Sequence, residues 1–211
     1  MASEREVMSD MRSGARGAAP RRLSKAERRR QLLETALLIV REEGVDRLSL
    51  ARLAARAGVS KPVAYDHFGT RSELLIELYR SIDREQQNTL RNALTPGERG
   101  LDETAEILAA AYVRCSADTG GEWHAVGAAL GGSAEKDAVY QELLEDSVQL
   151  FATVLEPHSA LSSAELQRRC AGLVGAGEAL SGLMVRGGCS EAEAAETFTS
   201  LIKGGLRGPA Q

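Results

Sequence analysis

The sequence predicts an all-α fold of about nine helices: an N-terminal three-helix helix-turn-helix domain and a larger helical C-terminal domain. Three observations predict it. Apolar residues recur at 3.6-residue spacing in one segment after another, and no alternating β pattern appears. Four Ser/Thr-x-x-Glu boxes stand at Ser24–Glu27, Thr70–Glu73, Ser162–Glu165 and Ser190–Glu193, each able to open a helix by reciprocal capping. The stretch from Ser49 to Arg71 reads as two short helices joined by a tight turn at Gly58.

Residues 1–23 are rich in Arg, Gly, Ala and Ser without an apolar period, which predicts a disordered basic leader. Arg12, Arg16, Arg21 and Arg22 suit either a solvated leader or an arm reaching into a minor groove. The first helix opens at the Ser24 box, turns Leu32, Leu33, Ala36, Leu37 and Val40 inward, and ends at Gly44. Ser49 stands where an N-cap is wanted, and Leu50, Leu53, Ala54 and Ala57 make one apolar face. Gly58 follows, as a left-handed C′ position requires. Ser60 is placed to cap the next helix, whose first turn tolerates Pro62. These two helices and the one before them make a unit over 24–70.

The box at Thr70 opens a connecting helix within 71–97, with Leu74, Leu75, Leu78, Tyr79 and Ile82 inward and Thr95-Pro96-Gly97 as its break. Within 98–208, helices are expected over Leu101–Ala117, stopping at Gly120-Gly121, and over Trp123–Leu130, stopping at Gly131-Gly132. A long helix capped by Ser133 runs to Pro157, another from Ser162 to Gly187, and a last one from Ser190 to about Lys203, before Gly208 and Pro209.

An αα-hairpin of an ordinary bundle accounts for the periodicity of 49–71 equally well; the second helix separates the readings. Lys61, Val63, Tyr65, Asp66 and His67 crowd about two turns, leaving Ala64 and Phe68 as core anchors. A packing helix has no use for so many polar and aromatic tips. Charge agrees: Arg12–Arg71 carries 14 Lys/Arg against 6 Asp/Glu, whereas residues 86–211 carry 9 against 17. The first is the footprint of a phosphate-binding surface, and the second would repel a polyanion.

The run GVDRLSLARLAARAGVSKPVAYDHFGTRSELL resembles the DNA-binding domain of the TetR family of transcriptional regulators, over roughly Ala26 to Tyr79. The resemblance implies a homodimer that binds double-stranded, palindromic operator DNA and is released by a small-molecule effector, with repression more usual than activation. The second helix of the motif would enter the major groove. There Lys61 suits guanine O6 or N7, and Val63 and Pro62 suit a thymine methyl. Tyr65 and His67 match family positions that hydrogen-bond phosphates; Arg71 matches one usually held by lysine. Ser49, at a helix N-terminus, is a natural phosphate anchor.

For the acidic half the resemblance implies an effector pocket and a dimer contact made by the last two helices. Tyr112, Cys115, Trp123, His124, Tyr140, Phe151, Glu178 and Met184 are the groups suited to lining a pocket. Gly172, Gly175, Ala179 and Gly182 give the penultimate helix a small-residue face suited to close helix contact, between subunits or within one chain. Cys115, Cys170 and Cys189 are widely spaced and lack C-x-x-C, which argues against a disulfide framework or zinc site and for a reducing cytoplasm. No apolar run spans a membrane, no cofactor or metal motif is present, and no motif supports an enzyme built on Cys115 or Cys170 with His124 or His158. Two other readings stay open: an architectural DNA-binding protein without effector, and a thiol-based redox-sensing regulator.

Overall fold

The computed structural model describes residues 23–94, 99–118, 121–130 and 134–207. The leader arginines, the Thr95-Pro96-Gly97 break, Gly120, the Gly131-Gly132 stop with its Ser133 cap, and Gly208-Pro209 lie outside the described residues. Within them the chain forms α1 (Lys25–Glu43), α2 (Leu50–Arg56), α3 (Lys61–Phe68), α4 (Arg71–Ala93), α5 (Leu101–Asp118), α6 (Glu122–Ala129), α7 (Ala134–Leu155), α8 (Ser163–Val185) and α9 (Glu191–Gly205). Single 3₁₀ turns lie at Val45–Arg47 and Glu156–His158, and no strand occurs among the described residues.

The caps explain most of these boundaries. Ser24, Thr70 and Ser190 form reciprocal boxes with Glu27, Glu73 and Glu193. The expected box at Ser162 is only half made. Its hydroxyl accepts from the Glu165 N–H, but the Glu165 carboxylate turns to Arg168 at 2.6 Å and Arg169 at 2.8 Å. Arginines three and four residues along a helix lie within reach of that carboxylate and win it. Ser60 corrects the sequence reading differently: it takes the N-cap backbone conformation without a side-chain bond. Pro62 has no N–H to offer, and the Val63 N–H goes to the Ser60 carbonyl at 3.1 Å.

Two apolar clusters hold the molecule. The first joins Leu32, Ile39, Leu53, Phe68 and Leu74 of α1–α4 to Val126 and Leu130 around α6 and to Val139 and Leu143 of α7. The core behind the helix-turn-helix therefore draws on residues far beyond it in sequence. The second gathers α5, α7, α8 and α9 around Tyr112, Phe151 and Phe198, whose rings meet at centroid distances of 5.3–6.1 Å. Phe151 and Phe198 are fully buried, each contributing about 1.5–3 kcal/mol by apolar transfer. Gly177 is what lets α8 approach: a Cβ there would stand 2.8 Å from Tyr112 and 2.9 Å from Phe198. Gly182 is also inward, beside His124 and beneath Arg186, whereas Gly172, Gly175 and Ala179 are exposed, the two glycines with open space before them. The small-residue face is thus split between a packed side and a bare one.

Candidate nucleic-acid interface and the cavity behind it

The turn between α2 and α3 is built by its backbone. Gly58 adopts φ +66, its N–H reaches the Ala55 carbonyl, and the Val59 N–H reaches the Ala54 carbonyl at 3.0 Å. That pairing is a Schellman closure, which a side chain at the left-handed position would strain. Ala64 and Phe68 then sink into the core, so one face of α3 is fixed and the rest is presented outward. Lys61, Pro62, Tyr65 and Asp66 are exposed, Val63 and His67 half-buried, and Tyr65 keeps 51% of its surface in water. Asp66 shares a shallow groove with Lys25 and Arg28 at the start of α1, which gives this acid cationic company beside a surface suited to phosphate.

Three of the expected phosphate contacts have work inside the protein as well. The Ser49 hydroxyl accepts the Arg52 N–H at 3.2 Å, leaving its own O–H to donate outward. Arg71 donates from Nε to the Leu48 carbonyl at 2.8 Å and from a terminal nitrogen to the Val45 carbonyl at 2.9 Å. It clasps the 3₁₀ turn and keeps its remaining N–H groups for an anion. His67 has a buried Nδ1 without a partner, and burial, then Arg29 and Lys25, hold its pKa below the ordinary histidine value. At neutral pH it offers a neutral N–H rather than a charge.

Sequence reasoning missed Arg29. From α1 it donates to the His67 carbonyl at 2.6 Å, pairs with Glu77 of α4 at 2.8 Å and lies 4.9 Å over the Phe68 ring. One guanidinium thereby ties the end of α3 to α1 and α4. Nothing but its tertiary position distinguishes it from Arg28 and Arg30. The same view corrects the charge footprint: Arg52 is held by Glu43 at 2.9 Å, and Arg56 by Glu42 and Glu43, so part of the local basic excess is spoken for.

Behind this domain a cavity of about 50 Å³ lies among α4, α5, α6, α7 and α8. Of the residues expected to line a pocket, Tyr112, Cys115, Trp123, His124, Tyr140 and Glu178 meet there. Phe151 and Met184 do not; both are held in the second core cluster, where apolar packing claims them. Asp83, Gln87 and Ser181 complete the wall unanticipated, because their positions on α4 and α8 carry no signal of their own. The Tyr140 hydroxyl donates to Glu178 at 2.8 Å, and burial and that bond push the phenol up to about 12. Burial, then the charge of Asp146, pushes the Asp83 carboxyl up to about 6. Gln87 donates to it at 3.0 Å.

Cys115 and Cys170 are poor nucleophiles. Burial raises the pKa of Cys115 and pushes that of Cys170 to about 11, whereas reaction requires thiolate. His158 is engaged by Thr104 Oγ1 at 3.1 Å. Among the described residues no group of His, Cys, Asp and Glu is arranged to hold a metal, and no helix is long and apolar enough to cross a membrane.

Cavity and DNA-reading domain are joined through α6. Trp123 stacks on Tyr79 of α4 at 3.7 Å between ring centroids. Next to it, Glu122 is 8% exposed and accepts from Arg41 of α1 at 2.6 Å, its second oxygen buried without a partner.

A three-helix unit with a Schellman turn and an outward-facing second helix is a helix-turn-helix DNA-binding domain. The family model of the tetR family of bacterial regulatory proteins matches residues 32–78, within and just beyond this unit. The chain is 44% identical over 63 residues to the transcriptional activator FasR of Mycolicibacterium smegmatis, covering 29% of each. It is 30% identical over 82 residues to the transcriptional regulator BetI of Brucella anthropi, covering 39% of this chain and 42% of that one. The chain thus spans less than half the length of these curated relatives. Solved structures extend the likeness of fold. A TetR-like transcriptional regulator from Rhodococcus sp. RHA1 matches with TM-score 0.63 at 24% identity, over 88% of this chain and 98% of that one. The multidrug binding protein EbrR, solved with imidazole, matches with TM-score 0.61 at 20% identity, over 88% and 93%.

Proposed function

We propose that the protein is a cytoplasmic transcriptional regulator that binds a palindromic operator as a homodimer, represses from it, and is released when a small molecule fills the cavity. The observation that carries this is α3: Ala64 and Phe68 anchor it while Lys61, Pro62 and Tyr65 stand in water at the face of the most basic part of the chain. Lys61 is assigned to a guanine edge, Val63 and Pro62 to a thymine methyl, and Ser49, Tyr65, His67 and Arg71 to phosphates. Dimerisation is assigned to the bare side of α8 and to α9, where Gly172, Gly175 and Ala179 adjoin exposed Leu183 on α8 and α9 exposes Leu201. The α6 helix is the transmission element, since it touches the cavity through Trp123 and α1 through Glu122. An effector shifts the equilibrium only by its differential affinity for the two arrangements.

Footprinting of the purified protein on genomic fragments tests the reading. A short palindromic footprint sustains it; salt-sensitive binding without sequence preference would assign the architectural role instead. Activation is the second reading, favoured by the name of the Mycolicibacterium smegmatis relative. A reporter fused to the footprinted promoter, with and without the protein, decides the sign.

A further inference from the structure

The cavity wall has a chemical bias that narrows its occupant. Two carboxylates, Asp83 of α4 and Glu178 of α8, line it, with no lysine or arginine among the described lining residues. Arg91 donates to the Gln87 side-chain amide oxygen at 2.8 Å, and its charge and that of Arg84 are felt at Asp83 more weakly than burial and Asp146. An independent feature belongs to the same wall: Ser181, a lining residue, is 2% exposed, and its buried hydroxyl oxygen has no hydrogen-bond partner. A buried hydroxyl without a partner is unfavourable, so a ligand that satisfies it gains affinity. Trp123, Tyr112 and Tyr140 supply ring faces and edges on the remaining sides.

We propose that the cavity takes a protonated primary or secondary amine carried on an apolar or aromatic body. The assignment rests on the reading of this cavity as the effector site and names its ligand class. A primary ammonium has three N–H bonds for Glu178, Asp83 and the Ser181 oxygen, and a secondary one has two to divide among them, while the indole and phenol rings stabilise the charge and cover the body. Glu178 is already oriented by Tyr140, which leaves its second oxygen for the ligand. A carboxylic acid or phosphate would face two like charges with no lysine or arginine among the described lining residues to answer it. A quaternary ammonium would satisfy the charge and leave the Ser181 acceptor empty. With only about 50 Å³ open, room for a few waters, the body of a larger amine enters by pushing α6 aside.

The test uses the single tryptophan of the chain, Trp123, as the reporter. Full-length protein is titrated at pH 7.5 with benzylamine, phenethylamine and 4-phenylbutylamine, and with the alcohols and carboxylic acids of the same skeletons. The amines are expected to quench Trp123 and to bind roughly tenfold or more tighter than the alcohols, the acids least. In Glu178→Gln, which keeps an acceptor for Tyr140, the preference of amine over alcohol shrinks about tenfold; Ser181→Ala shrinks it severalfold. Equal binding of alcohols or acids, an amine preference untouched by Glu178→Gln, or no amine binding at all overturns the assignment. Operator affinity measured alongside separates the two readings. A neutral compound that quenches Trp123 and releases DNA leaves the effector site standing and removes the amine. An amine that binds with the expected charge dependence and leaves operator affinity unchanged does the reverse.

Discussion

The surface around α3 and the cavity treat charge in opposite ways. Around α3 the arginines are held by neighbours: Arg29 by Glu77 and the His67 carbonyl, Arg71 by two carbonyls, and Arg52 and Arg56 by Glu42 and Glu43. The guanidinium groups are fixed in place there, part of their charge already answered by carboxylates. Around the cavity two carboxylates share a wall with no lysine or arginine among its described residues, and a serine hydroxyl is left unpaired. One region is preorganised with its interactions largely made; the other holds unsatisfied groups that a ligand completes. The first should lose binding when its supports are cut, and the second should gain stability when its carboxylates are removed.

The largest effect is expected where the preorganised side rests on its core. Phe68 is 2% exposed and is the C-terminal anchor of α3 beneath Arg29. Phe68→Ala should cost about 3–5 kcal/mol of unfolding free energy by denaturant titration. Operator affinity should fall with it even under conditions where the protein stays folded. Full operator binding by a folded Phe68→Ala protein would break the claim that this anchor sets the position of α3.

The cavity side makes the opposite prediction, with a sign set by protonation. Burial raises the Asp83 pKa to about 6, from an ordinary value of 3.8. The folded state therefore holds this proton more tightly than the unfolded chain. The resulting stability is fully present below about pH 3.8 and is lost as pH rises through about 6. The raised value corresponds to up to about 3 kcal/mol between those limits. Asp83→Asn should therefore raise Tm at pH 7–8 and change it little at pH 4, and the difference between the two proteins isolates this group from every other titration. A Tm difference that does not vary with pH would place Asp83 in ordinary solvent and remove the contrast.

How much of this contrast could be read from the sequence follows from its physical range. The turn at Gly58, the anchors Ala64 and Phe68, and the boxes at Ser24, Thr70 and Ser190 are set by residues within a few positions of one another, and the periodicity displays them. Arg29 and Arg41 gain their roles from partners 38–81 positions away, and no local pattern tells them from neighbouring arginines. The cavity is legible only in part. Its aromatic residues are rare enough in the chain to draw notice, whereas Asp83 and Ser181 look like any polar residues of amphipathic helices. Phe151 drew notice for the same rarity and proved to be core. Small residues misled similarly: Gly177 and Gly172 look alike in sequence, and only the path of α5 and α9 sets them apart.

Within the DNA-reading surface, the two kinds of contact should separate by measurement. Lys61→Ala is expected to cost about 1–3 kcal/mol on the preferred operator and to relax discrimination at one base pair. Arg71→Ala should weaken specific and non-specific DNA alike and flatten the salt dependence by about one unit of slope. Competition binding against single-base operator variants at two salt concentrations reads both. Sequence preference that survives Lys61→Ala would move base reading to Pro62, Val63 or Tyr65.

The smallest expected effect bears on the side of α8 that no part of the described chain covers. Alanine is favoured over glycine by up to about 1 kcal/mol within a helix, and a Cβ at Gly175 would meet nothing within 4 Å. If that side faced water, Gly175→Ala would stabilise the protein by that amount, independently of concentration. If a second copy packs there, the added methyl groups meet across the symmetry axis, where small residues permit the closest approach. Stability should then fall, and the dissociation constant from sedimentation should rise. Gly177→Ala supplies the control, because its Cβ would stand 2.8 Å from Tyr112 within the same chain and should destabilise at every concentration. The sign of the Gly175 change, set against the fixed sign at Gly177, tells whether α8 packs on both sides or on one.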